Sequence, residues 1–199
     1  MIKGVVVDQA TKYGVFKWLY PAVGETRGEY QVVPGTFKLV AEFTGHSETA
    51  GGLRAWLRTV SGDMLPHVNH GALFGWKAFL DGEKYAWLPN LLFAAVSVLA
   101  AGAIIAWSLR KSTVRDFALC AALGLILAGT LGNLYDRIVF DGVRDFLYFY
   151  LIEWPVFNVA DCCLVCGAFL LLIQAFCSHP ATSREEVGGA LGRQAVEVT

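Results

Sequence analysis

Two short stretches of the sequence place carboxylates beside amides at the same spacing within apolar surroundings. The stretch LGNLYDRIVFDGVRDF contains Asn133 and Asp136 at the end of a long uncharged run. The stretch VFNVADCCLV contains Asn158 and Asp161 at the start of another such run. Residues three apart lie on one face of a helix. Each Asn-x-x-Asp pair therefore predicts a polar face on an otherwise apolar helix.

Two carboxylates on neighbouring helices could carry out acid and base catalysis. If Asp136 and Asp161 approach to about 4 Å at an effective dielectric near 20, they repel by roughly 4 kcal/mol and share one proton near neutral pH. The ionised member then takes a proton from water, and the protonated member donates to a peptide oxygen, as in aspartic proteases. Asn133 and Asn158 could orient the carboxylates or hold substrate carbonyls. The alternative is that both aspartates mark helix ends at the headgroups, with Arg137 reaching to phosphate.

The composition is typical of a membrane protein. Of the 199 residues, 55% are hydrophobic and 17% are charged, and the mean hydropathy is +0.49, whereas soluble domains are usually about a quarter charged. The formal net charge is -1, and there is no basic stripe with interleaved aromatics that would follow a phosphate backbone. A nucleic-acid partner is therefore not expected.

Three uncharged segments are long enough to cross a hydrocarbon core of roughly 30 Å, which takes about 20 helical residues. Two lie between Lys84 and Arg110 and between Asp116 and Asp136, and the third follows Asp161. The connection between the first two carries a cluster of basic residues, as short cytoplasmic loops do. This cluster predicts that both aspartates lie near the outer face. The basic residues are Arg110, Lys111 and Arg115.

The remaining segments complete a predicted four-helix transmembrane bundle with a small extracytoplasmic β-sheet. The run MIKGVVV before Asp8 is too short for a signal-peptide core and is interpreted as the remainder of a truncated first helix. Apolar and polar residues alternate over residues 37–44 beside the Pro34-Gly35 turn, which predicts strands. The predicted organisation is a helix remnant at 1–19, a sheet region with an insertion at 20–84, transmembrane helices at 85–109, 116–136 and 157–177, an extracytoplasmic loop at 137–156 and a disordered cytoplasmic tail at 178–199.

Four blocks in a fixed order resemble the signatures of the lipoprotein signal peptidase family, signal peptidase II. GNLYDR with the following VRDF, and FNVAD, resemble the paired signatures of that family. DQATK resembles its D-Q-x-x-K segment, and NHGALFG resembles its N-x-G-x-x-F segment. The blocks are spread from residue 8 to residue 161, so the resemblance covers most of the chain.

The resemblance implies a membrane aspartyl endopeptidase that removes signal peptides from bacterial prolipoproteins, cutting before a cysteine that carries diacylglyceryl. It implies a monomer without metal or cofactor in the bacterial inner membrane, in contact with lipid and active near the outer face. The region 20–66 then reads as an insertion that could alter which prolipoproteins are accepted. Carried onto this chain, the catalytic dyad is Asp136 and Asp161, with Asp8, Lys12, Asn69, Gly71, Asn133, Arg137 and Asn158 as the supporting polar set.

Other interpretations stay open at this point. A small proton-coupled transporter would use membrane aspartates as relays, and a non-catalytic homologue would bind lipoprotein precursors only. Cys163 and Cys166 form a CxxC, but without partners in the sequence they are interpreted as packing residues and no metal site is predicted. Arg144 and Asp145 could pair with one another or bind headgroups.

Overall fold

The computed structural model describes residues 1–46, 52–58, 64–70 and 87–177. Long helices alternate with short strands, and a short 3-10 helix spans Tyr150–Ile152. Gly71, one of the predicted site residues, lies outside the described residues, as does the predicted tail at 178–199. The helices and strands are α1 (Ile2–Trp18), β1 (Arg27–Val33), β2 (Phe37–His46), α2 (Leu53–Arg58), β3 (Met64–Pro66), α3 (Leu88–Ser108), α4 (Lys111–Val114), α5 (Phe117–Phe140), β4 (Leu147–Phe149) and α6 (Val159–Cys177).

Three of the described helices are long and apolar enough to cross a membrane, which confirms the prediction of three apolar helices of spanning length. They are α3, α5 and α6, with 21, 24 and 19 residues. Helix α1 has 17 residues and turns one face inward, where Asp8, Lys12 and Phe16 are buried at helical spacing. It is not among the three candidate spans. The predicted count of four membrane helices therefore stays a prediction.

Helix α5 extends further than the sequence suggested. It was expected to end at Asp136, but it continues for one more turn to Phe140 and ends where Asp141 adopts a left-handed conformation with φ 64°. The charge at position 136 does not end the helix, because its side chain is fully buried and paired with Arg144. The expected loop at 137–156 also contains a strand, β4, which pairs with β2.

Glycines allow α5 and α6 to approach closely. A Cβ at Gly129 would lie 2.3 Å from the Ala160 carbonyl oxygen, and a Cβ at Gly132 would lie 2.6 Å from a carboxylate oxygen of Asp8. Small residues at helix interfaces in membranes permit such backbone contact. Helix α1 packs against both α5 and α6, and α3 packs against α5. The close contact therefore brings the polar faces of three helices together.

The small antiparallel sheet predicted from the alternating residues is confirmed. Strand β2 is its centre, with β1 on one side and both β3 and β4 on the other. Phe43 of β2 is buried against Phe16 of α1 with ring centroids 5.7 Å apart, so the sheet rests on the helices. Its location on the outer side of the membrane stays a prediction.

Two backbone links fix the chain that connects α5 to α6 against the sheet. The amide of Val143 donates to the Asn69 carbonyl at 2.9 Å, and the Asn69 amide donates back to the Val143 carbonyl at 2.7 Å. The Val40 amide donates to the Phe146 carbonyl at 2.9 Å. Residues 143–146 are thereby held between two attached ends, and Arg144 and Asp145 lie between them.

The contact at Gly129 predicts a loss of stability on substitution. We expect Gly129→Ala to lower the free energy of unfolding by roughly 1–3 kcal/mol, because the added methyl group must push α6 away from α5. Gly102→Ala is the matched control, since nothing lies within 4 Å of a Cβ there, and it should cause no loss. Thermal unfolding of both variants in detergent micelles would test this. Equal unfolding temperatures would contradict the close contact.

Candidate active site

Four charged side chains are fully buried where α1 meets α5. Asp8 and Lys12 come from α1, Asp136 from α5, and Arg144 from the chain that follows α5. Lys12 Nζ lies 3.0 Å from Asp8 Oδ2 and 3.4 Å from Asp136 Oδ2. Buried charges are strongly unfavourable unless they are paired and hydrogen-bonded. Two carboxylates and two basic groups give this cluster no formal net charge, and each group lies beside one of opposite charge.

Arg144 takes up most of the hydrogen-bonding capacity of Asp136. The Arg144 backbone amide donates to Asp136 Oδ2 at 2.9 Å, and its guanidinium donates to Oδ1 at 2.8 Å and to Oδ2 at 3.2 Å. Gln9 Nε2 adds a bond to Oδ1 at 3.1 Å. The guanidinium is packed between the rings of Tyr13 and Phe140, 4.2 Å and 3.9 Å from their centroids. Asp136 therefore holds Arg144, the neighbour of Asp145, in place. The Asp136 side chain is itself excluded from solvent.

Asp8 connects α1 to the start of α6. Its Oδ1 accepts a hydrogen bond from the Ala160 amide at 2.8 Å, one of the amides that a helix N-terminus leaves without an intrahelical partner. Its Oδ2 accepts from Gln9 Nε2 at 2.9 Å and pairs with Lys12. A side chain at Gly132 would collide with this carboxylate. Glycine is therefore required where α1 and α5 approach.

The second Asn-x-x-Asp pair forms a reciprocal cap at the start of α6. Asn158 Oδ1 accepts from the Asp161 amide at 3.1 Å, and Asp161 Oδ2 accepts from the Asn158 amide at 3.2 Å. This is a capping-box arrangement, which satisfies two amides of the first turn. It places the Asp161 carboxylate in the first turn of α6, where the helix dipole favours a negative charge.

Asn133 links the buried charges to Asp161. Its Oδ1 accepts from Lys12 Nζ at 3.1 Å and from Asn158 Nδ2 at 3.2 Å, while its Nδ2 donates to Asp161 Oδ1 at 2.8 Å. Arg137, one turn further along α5, is half-buried and lies over the Phe93 ring at 5.2 Å. Its charge also interacts electrostatically with Asp161 and Asp145. Asn133 and Arg137, two members of the predicted supporting set, therefore lie near Asp161.

Asp145 is the carboxylate that faces Asp161. Asn158 Nδ2 donates to Asp145 Oδ1 at 2.7 Å, and Asn69 Nδ2 donates to Oδ2 at 3.1 Å. Burial of the side chain, followed by the negative charge of Asp161, raises the pKa of Asp145 from 3.8 to about 6. Both carboxylates are half-buried. Within the described ranges, no lysine or arginine forms an ion pair with either of them.

Most of the predicted site residues converge, but the predicted pairing of carboxylates is different. Asp136 was expected to face Asp161; instead it bonds Arg144 and Lys12, because the buried guanidinium occupies both of its oxygens. The expectation that Arg144 pairs with Asp145 or with headgroups is wrong for the same reason. Asp161 is linked instead to Asp145 through Asn158. The predicted residues that lie together are Asp8, Lys12, Asn69, Asn133, Asp136, Arg137, Asn158 and Asp161.

The sequence interpretation missed Gln9, Arg144 and Asp145 as site residues. Gln9 and Asp145 lie inside the DQATK and VRDF blocks that carry the family resemblance, so a signal was present. Asp145 has no asparagine three residues before it, so it lies outside the repeated Asn-x-x-Asp pattern. Arg144 also lies inside the VRDF block. Its pairing with Asp136 could not be predicted from the sequence, because tertiary packing brings these two residues together.

A cavity of about 290 Å³ lies beside Asp145. Its lining includes Asn69 and Asp145, together with Arg27, Glu42 and His67 of the sheet region. Arg27 and Glu42 form an ion pair at 3.3 Å. A polypeptide lying in this cavity would reach the Asp145 carboxylate. The site thus defines a membrane protein with paired carboxylates beside a cavity.

Comparison with known proteins confirms the family resemblance. The family model of signal peptidase (SPase) II matches residues 1–177. A lipoprotein signal peptidase of Rhodopirellula baltica is 35% identical over 98% of this chain and 78% of its own length. One from Nitratidesulfovibrio vulgaris is 36% identical over 86% of this chain and 84% of its own length. The chain therefore belongs to the signal peptidase II family, and its activity class is that of a protease.

The fold also agrees with experimentally determined structures. A bacterial membrane enzyme solved by the in meso method at 2.3 Å aligns with a TM-score of 0.61 over 92% of this chain and 89% of its own. A related structure at 1.9 Å gives the same TM-score over 89% and 90%. Both are 22% identical in sequence, so they support the architecture alone.

The environment of Asp145 predicts how its proton affinity responds to substitutions. Asp161→Asn removes the neighbouring negative charge and should lower the pKa of Asp145 from about 6 towards its ordinary range. Asn69→Ala removes a hydrogen bond to the carboxylate and should raise this pKa, which gives a control of opposite sign. ¹³C NMR titration of aspartate-labelled protein, with the signal assigned by Asp145→Asn, would measure both. An unchanged pKa in Asp161→Asn would show that the two carboxylates are not coupled.

Proposed function

We propose that the chain is an aspartyl endopeptidase that removes signal peptides from bacterial prolipoproteins, cutting before the diacylglyceryl-modified cysteine. The observation that carries the proposal is the pairing of Asp145 with Asp161 through Asn158, beside a cavity. Family membership supplies the substrate class, since the relatives in the comparison are lipoprotein signal peptidases. We place the protein in the bacterial inner membrane as a multi-pass monomer that contacts lipid and acts near the outer face.

Asp145 and Asp161 are the better pair of candidates for the dyad. A catalytic carboxylate must reach substrate and water, and both of these side chains are half-buried. Asp136 is fully buried and its two oxygens accept four hydrogen bonds from protein donors. Releasing it would leave the Arg144 guanidinium buried without its partner, which is strongly unfavourable. Asp136 is therefore assigned a positioning role rather than a catalytic one.

The surroundings of the two carboxylates differ. Asp161 lies in the first turn of α6 and accepts hydrogen bonds from Asn133 and from the Asn158 amide, which hold its carboxylate in place. Burial and the neighbouring charge raise the pKa of Asp145, so it holds the shared proton more readily. Environments that separate the proton affinities of two carboxylates assign the base and the acid. Asp161 is the base and Asp145 the acid.

The reaction then needs no group beyond the dyad and one water. The oxygen of the water attacks the peptide carbonyl carbon while Asp161 takes a proton from that water. Asp145 donates its proton to the carbonyl oxygen, and the product of this step is a gem-diol. In the second step Asp161 passes its proton to the amide nitrogen and the carbon–nitrogen bond breaks. A gem-diol hydroxyl returns a proton to Asp145. The products are a carboxylic acid and the free amine of the modified cysteine, and the dyad regains its initial state.

The transporter alternative lacks a polar path in the described part of the chain. A proton relay through the membrane requires polar groups that continue from one face to the other. In α5, the buried residues on the side of Thr130 away from the site are small or apolar, among them Ala122, Leu123 and Leu127. The buried charged residues Asp8, Lys12, Asp136 and Arg144 lie together towards one end of α5, as a peptidase that acts at one membrane face requires.

A cleavage assay tests the proposed activity. We expect the purified protein in detergent micelles to shorten a diacylglyceryl-modified prolipoprotein, as seen by gel shift, and to leave the unlipidated precursor intact. Asp161→Asn should reduce the rate by about 10²–10⁴, the usual contribution of a positioned acid or base. Cys166→Ala is the control and should retain activity, because that side chain is exposed on α6 and away from the dyad. Cleavage by Asp161→Asn at the parental rate would exclude this residue as the base.

The positioning role of Asp136 makes a prediction about stability. Asp136→Asn should lower the free energy of unfolding by about 3–5 kcal/mol, because Arg144 is left buried without its counter-charge. Asp136→Asn combined with Arg144→Gln removes both charges and should unfold at a higher temperature than Asp136→Asn alone. Thermal unfolding of the single and double variants would measure the coupling. Independent losses that simply add would show that the pair does not act as a unit.

A further inference from the structure

Helix α2, a short helix within the 20–66 segment, is fastened to the end of the membrane-spanning helix α5. Arg54 Nη2 lies 2.5 Å from Asp141 Oδ1, and the Arg58 guanidinium pairs with the other carboxylate oxygen. Both arginines also donate through Nε to the Val139 carbonyl. Two arginines that bind the same carboxylate and the same carbonyl fix both the position and the rotation of α2.

The inner side of α2 is packed as well. Leu57 contacts the buried cluster formed by Val68, Val139 and Phe140. The Leu57 carbonyl accepts a hydrogen bond from the Tyr13 hydroxyl at 2.8 Å. The helix is therefore attached to α1 and α5 rather than held only by its own chain connections.

The attachment places α2 at the level of the membrane surface. Helix α5 has 24 residues and is about 36 Å long at 1.5 Å per residue, against a hydrocarbon thickness of roughly 30 Å. A helix of that length extends past the hydrocarbon at one end or both, and the charges of Arg137 and Asp141 favour a headgroup location for its C-terminal end. Ile138 in the last turn is 61% exposed, as expected of a residue that faces lipid. The arginines of α2 bind the Val139 carbonyl and the Asp141 carboxylate, so α2 lies at this C-terminal end of α5.

The outer side of α2 is apolar and largely exposed among the residues that the structure describes. Leu53 is 72% exposed and Trp56 is 71% exposed. Tryptophan is enriched at membrane interfaces, where its ring lies at headgroup depth, and arginine side chains also suit that depth because they extend towards the polar region. An exposed leucine and tryptophan one helical turn apart, on a helix that is attached at the end of a membrane-spanning helix, favour an interfacial location.

We propose that α2 is a membrane-surface anchor whose Leu53 and Trp56 side chains insert into the lipid headgroup region. The occupant of this apolar face is phospholipid. The anchor does not depend on the peptidase proposal. The anchor also affects the site. Asp141 begins the segment that leads to Asp145, and an anchored α2 holds that end of the segment in place.

The test is ¹⁹F NMR of the full-length protein in lipid nanodiscs, with 5-fluorotryptophan in place of tryptophan. Trp56→Phe identifies the Trp56 resonance by its disappearance, and this exposed substitution leaves the buried contacts of α2 intact. Two paramagnetic probes are then compared: a phospholipid carrying a nitroxide near the top of its acyl chain, and a water-soluble gadolinium chelate. We expect strong broadening of the Trp56 resonance by the lipid probe and weak broadening by the chelate.

Two results would overturn the anchor. Broadening by the chelate alone would place Trp56 in water, and broadening by neither probe would mean that another part of the protein covers it. Asp141→Asn provides a second reading, because it removes the carboxylate that both arginines bind. If α2 is held at the membrane by this attachment, the lipid-probe broadening of Trp56 should fall in Asp141→Asn. The measurement involves no cleavage, so its outcome is separate from the outcome of the peptidase assay.

Discussion

The structure of the site depends on the neutralisation of four buried charges. Asp8, Lys12, Asp136 and Arg144 come from three different parts of the chain and are all excluded from solvent. A single buried charge would be strongly unfavourable, but in this cluster every charge has a partner of opposite sign. The consequence is positional. The cluster holds α1 against α5 and fixes Arg144, so that the next residue, Asp145, faces the start of α6.

The two Asn-x-x-Asp pairs have the same spacing and different physical roles. The pair in α6 caps the helix start, since Asn158 and Asp161 exchange hydrogen bonds between side chain and backbone. The pair in α5 is divided between two networks, because Asn133 bonds Asp161 whereas Asp136 bonds Arg144. Asn133 thus connects the buried cluster, through Lys12, to Asp161, whereas Asp136 lies within the buried cluster itself.

The sequence predicted the elements better than the pairing between them. Uncharged length located α3, α5 and α6, and the alternation around Phe37–Phe43 located β2, because both signals are local. The partner of Asp136 is set by tertiary packing, which stacks Arg144 on Tyr13 and Phe140, and no local pattern encodes it. The same holds for α2, where pairing of Arg54 and Arg58 with Asp141 joins residues more than eighty positions apart.

The most direct test of the account compares the single-turnover cleavage rates of Asp145→Asn and Asp136→Asn on one lipidated precursor. The measurements should be made below the unfolding temperature of both variants, so that the folded populations are equal. We expect Asp145→Asn to be slower than Asp136→Asn by about 10² or more, since only Asp145 takes part in proton transfer. If Asp136→Asn abolishes cleavage in a folded protein while Asp145→Asn retains it, the assignment of the dyad is contradicted.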